Sequence, residues 1–205
     1  MNIISELDTG VTRSSLAELV ALHQAAFPNF FLTQLGPRFL TEYYATVVLF
    51  SGGIVVTARD GVSLCGFAAG FVDPPGFYRS LRKQRLRLMW SLAPTVLRNP
   101  ALVSRLRVNS SRAKNNSEEQ SPFVAELASL AVAPAYQGQG IGGRLVEAFA
   151  KHAASMRAGE IKLTTDATEN EAVNAFYIRR GFVAMGAGDV GHGRHLVHYS
   201  RSIAA

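Results

Sequence analysis

Four glycines fall within six residues in the stretch "VAPAYQGQGIGGRL": Gly138, Gly140, Gly142 and Gly143. Residues of this kind act through the main chain. A glycine accepts positive φ and has no Cβ to hold a ligand away. Where such a loop leads from a strand into a helix, its N–H groups converge beside the positive end of the helix dipole, and that point suits a phosphate. A strand-like "ELASLAV" precedes the loop and a helical "IGGRLVEAFAKHAAS" follows it, so the context is met. A plain tight turn is the ordinary alternative, but such a turn seldom needs four glycines.

Gly138, Gly140 and Gly143 also match G-x-G-x-x-G, and Asp166 lies 23 residues after Gly143, where an acid could hold a ribose. That reading makes the chain an NAD(P)-binding oxidoreductase of Rossmann type. Two features oppose it. The first glycine of that motif follows its strand almost directly, whereas "APAYQ" intervenes here. Only 39 residues follow Asp166, and they read as one helix and a hairpin rather than as further βαβ units. Three late histidines, His192, His195 and His198, invite a metal. Residues three apart on a strand point to opposite faces, so they do not converge, though one could face an acceptor. The single cysteine, Cys65 in "LCGFAAGF", reads as a buried small hydrophobe and rules out an internal disulfide. The start "MNIISELDTG" has neither a basic opening nor an apolar block. A cytoplasmic setting is therefore expected.

The elements that must position these residues follow from periodicity. "NIISEL" opens as a strand. "SSLAELVALHQAAF" is helical, with Ser14 or Ser15 as N-cap and Leu16, Leu19, Val20 and His23 on one face. Pro28 stops it, and "PRFLTEYYATVVLF" starts a second helix with Pro37 early in it. "GIVVTARDGVSLCGFAAGFVD" is a hairpin turning at Asp60-Gly61. "FVAELASLAV" and "EIKLTT" are strands around a helix ended by Gly159. Strict alternation along the first puts Glu126, Ala128, Leu130 and Val132 on one face. "NEAVNAFYIRRGF" is a helix with Asn170 at its N-cap, and two strands close the chain. The order is βααββ, an interruption, then βαβαββ.

With 205 residues and 48% of them apolar, the chain suits one globular domain. No apolar run approaches the roughly 18 residues of a membrane span. Charge is uneven. Residues 74–122 carry ten Lys/Arg against two Glu, while the rest, with 11 basic and 13 acidic residues, is close to neutral. Within that interruption "FYRSLRKQRLRLMWSLA" reads as a helix with Leu81, Leu88 and Leu92 on one face and Arg79, Lys83 and Arg87 roughly opposite. Asn99-Pro100 looks like the opening of another helix, and "NSSRAKNNSEEQ" like a polar loop. The segment reads as a helical pair with solvated arginines, as an acceptor-site wall for an anionic substrate, or as a contact to an anionic membrane near Trp90. Nucleic acid has the charge in its favour but no module.

The whole stretch "ELASLAVAPAYQGQGIGGRLVE" resembles the signature of the GNAT superfamily of acyl-CoA-dependent N-acetyltransferases, whose loop reads Q/R-x-x-G-x-G/A. Gln137, Gly140 and Gly142 fill it, after Leu130-Ala131-Val132 and Pro134. "NEAVNAFYIRRGF" resembles the second signature, N-x-x-A-x-x-[FL]-Y-x-x-x-G-F. Asn170, Tyr177, Gly181 and Phe182 are in place, and Ala172 and Ala175 straddle the alanine position. The two stretches cover about a third of the chain.

The resemblance implies an α/β (α+β) fold: a mixed, mostly antiparallel central sheet flanked by helices and splayed between strands 4 and 5. It forms one domain over residues 1–205, with residues 74–122 as a basic helical insertion between strands 3 and 4. It implies acetyl-CoA as acyl donor and no metal. The backbone of Leu130, Ala131 and Val132 would pair with pantetheine, and an N–H near Val132 would meet the thioester carbonyl. Gln137, Gly138, Gln139, Gly140, Ile141, Gly142 and Gly143 would wrap the pyrophosphate, and Asn170 would bond pantetheine or adjoining backbone. Tyr177 would be the general acid, unless it only packs on Phe176. Glu126 would be the base, through water, unless it is a solvated strand-entry residue. Phe27, Phe30 and Phe31 lie where the acceptor pocket forms in that family. A primary amine, on a small molecule or an amino sugar, is the expected acceptor. A CoA-binding or peripheral membrane module without chemistry is the other reading within the fold.

Overall fold

Among the described residues, seven strands form one sheet in the order β1-β2-β3-β4-β5-β7-β6. The structure, a computed structural model, describes residues 6–8, 13–28, 30–98, 123–168, 170–189 and 195–203. In chain order the elements are β1 (Glu6–Asp8), α1 (Arg13–Ala26), α2 (Phe31–Gln34), α3 (Pro37–Leu49), β2 (Gly53–Asp60), β3 (Ser63–Val72), α4 (Pro74–Lys83) and α5 (Arg85–Arg98). There follow β4 (Val124–Val132), α6 (Ile141–Ser155), β5 (Glu160–Asp166), α7 (Glu171–Arg179), β6 (Val183–Asp189) and β7 (His195–Ser202). A 3-10 turn, Pro134–Tyr136, precedes the glycine loop. Asn99-Pro100, the polar loop after it and His192 lie outside the described residues.

Every strand pair is antiparallel except β4 with β5. That single parallel pair is joined through α6, as a parallel connection requires. It is also brief: Val124, Ala125 and Glu126 face Glu160, Ile161 and Lys162, and pairing stops there. Residues 127–132 and 163–166 run on without each other, and the sheet splays. A mostly antiparallel sheet with one short parallel pair cannot be a Rossmann domain, which needs successive parallel βαβ units. The dinucleotide reading is overturned by this topology.

A β-bulge sits just beyond the last β4–β5 pair. Leu127 pairs with Gly70 and Ser129 with Ala69, so Ala128 is an extra residue. The bulge corrects the strict alternation. Ala125 and Leu127, and beyond the bulge Leu130 and Val132, pack in the core under α6. Ala128 and Ala131 belong to the core under α1 and α3, and Ser129 bonds to Tyr44 of α3. Leu130 and Val132 thus face away from Glu126. The sheet separates these two cores: Leu145, Phe149, Ile161 and Tyr177 on one side, and Leu19, Leu40, Tyr44, Phe67 and Phe77 on the other.

Helix ends differ in detail from the sequence reading. α1 begins at Arg13, so neither Ser14 nor Ser15 caps it. α6 stops at Ser155, where Met156 caps it and Arg157 turns the chain with φ 65, ahead of Gly159. The stretch "FYRSLRKQRLRLMWSLA", expected as one helix, is broken in two: α4 ends with Gln84 as its C-cap and α5 starts at Arg85. α4 is started by Asp73, whose Oδ1 accepts from the Gly76 N–H at 3.0 Å.

Candidate active site

The glycine loop stands at the mouth of the splay. Gly138 and Gly140 adopt φ +75 and +77, the left-handed region that glycine enters without steric cost. Gly140 is the N-cap of α6, so the first free N–H groups of that helix open beside it. A Cβ built on either glycine would meet nothing within 4 Å, so the loop's outer face is clear for a ligand. The loop is tied down from behind. Gln137 Nε2 donates to the Val132 carbonyl at 3.2 Å and Gln139 Nε2 to the Ala135 carbonyl at 3.4 Å. Tyr136 donates to Asp60 at 3.3 Å. Ile141 is 1% exposed, so its side chain belongs to the core and only its N–H is on offer.

Gly142 and Gly143 serve close approach. A Cβ on Gly142 would lie 3.4 Å from the Phe176 ring, and one on Gly143 would fall 2.1 Å from Arg180 Nη2. The Arg180 guanidinium therefore lies over the first turn of α6, also 5.8 Å from the Phe176 ring centroid. A cation, a helix N-terminus and an unobstructed main-chain loop make a fit for a pyrophosphate.

Asn170 occupies the N-cap position of α7, but its side chain makes no capping bond. It turns back to β5 instead, donating to Thr165 Oγ1 at 2.8 Å and to the Asp166 carbonyl at 3.0 Å. That fixes the start of α7 against the splayed end of β5. Two turns on, Tyr177 is buried among Phe176, Phe182 and Tyr199, with ring centroids 5.2, 5.5 and 6.0 Å away. Burial pushes its phenol above the ordinary range, so the proton stays on Oη at neutral pH.

Glu126 is partly buried on the α3/α4 side of the sheet. Its Oε1 accepts a hydrogen bond from Tyr78 of α4 at 2.8 Å. Burial pushes the carboxyl up to about 7, and the bond from Tyr78 pulls the other way. The phenols of Tyr78 and Tyr43 are held well above their usual value by burial first and by nearby charge second, so both stay protonated beside it. A carboxyl that titrates near neutrality is a usable base.

Sequence reasoning missed Tyr78, because the insertion was read for its arginines. The pairing of β3 with β4 would have found it. Phe71 lies opposite Glu126, and the first turn of α4 follows within a few residues. It also missed a buried chain of polar groups. His23 Nδ1 lies 2.7 Å from Tyr44 Oη, which donates to Ser129 Oγ at 3.0 Å. His23 sits on an apolar helix face, and a polar group there needs a partner. Burial lowers it to about 4, so it is neutral. Phe27 packs on His23 and Phe30 on Phe27, each with centroids 5.0 Å apart, and Phe31 opens α2. Of the histidines on β7, His198 Nδ1 lies 3.1 Å from Thr164 Oγ1, and His195 is exposed three residues away. Cys65 is fully buried, as a small hydrophobe.

Residues 16–182 match the model of the Acetyltransferase (GNAT) family. The chain is 38% identical over 81 residues to the uncharacterized N-acetyltransferase YjhQ of Escherichia coli (strain K12). That match spans 40% of this chain and 40% of the relative, less than half of its length. Among solved structures the fold is similar to an aminoglycoside 6'-N-acetyltransferase complexed with coenzyme A, at TM-score 0.65 and 16% identity over 98% of both chains. It is also similar to a putative GNAT-family acetyltransferase from Desulfovibrio desulfuricans, at TM-score 0.63 and 13% identity, covering 97% of this chain and 99% of that one. At such identities the structures speak for the fold alone. The family match, running from α1 to the end of the second signature, carries more: this chain belongs to the Acetyltransferase (GNAT) family, whose members take their acyl group from acyl-CoA.

Proposed function

We propose that the chain transfers acetyl from acetyl-CoA to a primary amine by direct attack, with Glu126 as base and Tyr177 as acid, and that residues 1–205 act as one domain. The observation that carries this reading is the splay. Beyond Glu126 the β4 backbone has no strand partner on its β5 side, next to the glycine loop, and among the described residues only the Val132 carbonyl is engaged, by Gln137 Nε2. Acetyl-CoA is a substrate that supplies a thioester. Its extended pantetheine suits pairing with the backbone at Leu130, Ala131 and Val132, as an added strand. Its pyrophosphate suits the N–H groups from Gly138 to Gly143, with Arg180 as counter-charge. Glu126, through a water, takes the proton from the acceptor ammonium. Tyr177 Oη, still protonated, hydrogen-bonds the departing sulfur and delivers its proton.

The acceptor is proposed to enter between the α1–α2 aromatics and α4. Phe27, Phe30 and Phe31 at the α1–α2 end, with Tyr78 beside Glu126, would supply flat apolar walls for it. That suits an amine on a small molecule or amino sugar. The basic insertion favours a partner with negative charge. A cytoplasmic setting fits the buried, unpaired thiol.

The test is a panel of primary amines and amino sugars with acetyl-CoA, read by thiol release. Tyr177→Phe keeps the ring and its packing and loses the proton. Transfer should fall about 10²- to 10⁴-fold while acetyl-CoA affinity stays nearly constant. Equal turnover would remove Tyr177 from the chemistry. No turnover by the wild type on any amine, with acetyl-CoA still bound, would make the chain a binding module.

A further inference from the structure

The described part of the insertion, α4 and α5, has two faces, and among the described residues one packs on the domain while the other is exposed. On α5, Leu88 is buried, Leu92 packs on the core under α3, and Thr95 Oγ1 donates to the Leu35 carbonyl at 3.0 Å. These contacts fix the helix to the body. The other face carries Leu86, Met89, Trp90 and Leu97, which are 67%, 64%, 79% and 84% exposed. At about 100° per residue these four fall within a sector of about 100°, a continuous apolar stripe. Arg85 and Arg87 flank it on either side. Residues 74–98 hold six Lys/Arg and no acidic residue. Arg79, Arg82, Lys83 and Arg85 are exposed, while Arg87 is paired with Glu42 at 2.6 Å. Among the described residues no helix is long and apolar enough to cross a membrane, so the stripe cannot be a span.

We propose that α4 and α5 form a docking face for an anionic lipid bilayer, with the stripe lying in the headgroup boundary and the flanking cations on lipid phosphates. Charge decides the occupant. A second copy would bring the same cationic face against itself across a two-fold axis, which repels. An uncharged apolar partner would leave the cations without a role. An anionic bilayer meets both features: apolar side chains enter the acyl boundary and Lys/Arg meet the negative surface. Trp90 suits that depth, with an apolar ring and one polar N–H. Docking at this face does not depend on the proposed chemistry. It also has a bearing on it, because α4 brings Tyr78 onto Glu126 and so sets the candidate base beside the docked face.

The experiment is flotation of the full chain with phosphatidylcholine vesicles, with and without phosphatidylglycerol. Trp90 is the chain's one tryptophan, so its emission reports the stripe directly. Binding is expected only with phosphatidylglycerol, with a blue shift of Trp90 and a loss of binding as salt rises. Leu86→Gln with Leu97→Gln, and separately Arg82→Glu with Arg85→Glu, should each weaken vesicle binding at least tenfold. Acetyl-CoA stabilisation should be unchanged in both, which shows the variants folded. If either variant fails to fold, the salt dependence and Trp90 shift of the wild type decide. Absence of binding to phosphatidylglycerol vesicles overturns the proposal, as does binding that both folded variants retain. A concentration-dependent dimer in sedimentation, abolished by the Leu86/Leu97 variant, would assign the face to a second copy instead.

Discussion

Glu126 holds two opposed influences, and each has its own signature in pH. Burial raises its pKa from 4.5 to about 7, while the Tyr78 hydroxyl favours the ionised form. Between these values the folded chain keeps a proton that the unfolded chain has lost, so the group's contribution to stability declines as pH rises from 4.5 through 7. Glu126→Gln preserves an acceptor for Tyr78 and removes the charge. Denaturant melts should find it equal to the wild type at pH 4 and about 1–3 kcal/mol more stable at pH 8. Tyr78→Phe withdraws the bond and leaves the burial. The acid limb of kcat/KM should then move to higher pH, by about one unit, with little change above pH 9. An acid limb left in place would uncouple Tyr78 from the base. The glycines, Asn170 and Tyr177 were legible in the sequence because they stand at fixed spacings. Tyr78 and Ser129 were not, since what makes them matter is the residue across a strand or helix from them.

At the scale of elements, the glycine loop depends on conformation as much as on space. Gly140→Val places a β-branched residue at φ +77, a strain of about 1–3 kcal/mol, and sets a side chain on the clear face of the loop. The variant should fold, because nothing lies within 4 Å of the new Cβ, yet bind CoA at least tenfold more weakly by calorimetry. An unchanged affinity would reduce the loop to a turn. Elements of regular period were readable from the sequence. The β2–β3 hairpin turns at Gly61 and Val62 as Asp60-Gly61 announces, and α3 starts on Pro37. The break at Gln84 was not readable, because apolar spacing runs on from Leu81 to Leu88 as though the helix continued. α2 is four residues long, too short to show a period. The bulge was hidden too: Ala128 is small and apolar, acceptable on either face, so no pattern betrays that two consecutive residues share one side.

For the whole molecule, binding of donor should appear as stability. At about 100 times its dissociation constant, acetyl-CoA adds about 2.7 kcal/mol, a rise of about 5–10 °C in Tm for a chain of this size. NAD and NADP should add nothing. A shift with NAD alone would contradict the assignment of the cleft. The fold as a whole was legible because two signatures in the right order demand one strand, one helix and one splay between them. The insertion's attachment was not, since the chain's own packing chooses which helix face is buried. The bulge has a further consequence for that splay. Deleting Ala128 would restore perfect alternation: Leu127, Leu130 and Val132 would still face α6, and Ser129 and Ala131 would still face α3. Neither core would be put out of phase. What would go is the bend that carries β4 away from β5 just after Glu126. One codon therefore separates folding from function in this protein. Its loss should leave a native circular dichroism spectrum, a cooperative melt, and a chain that acetyl-CoA no longer stabilises.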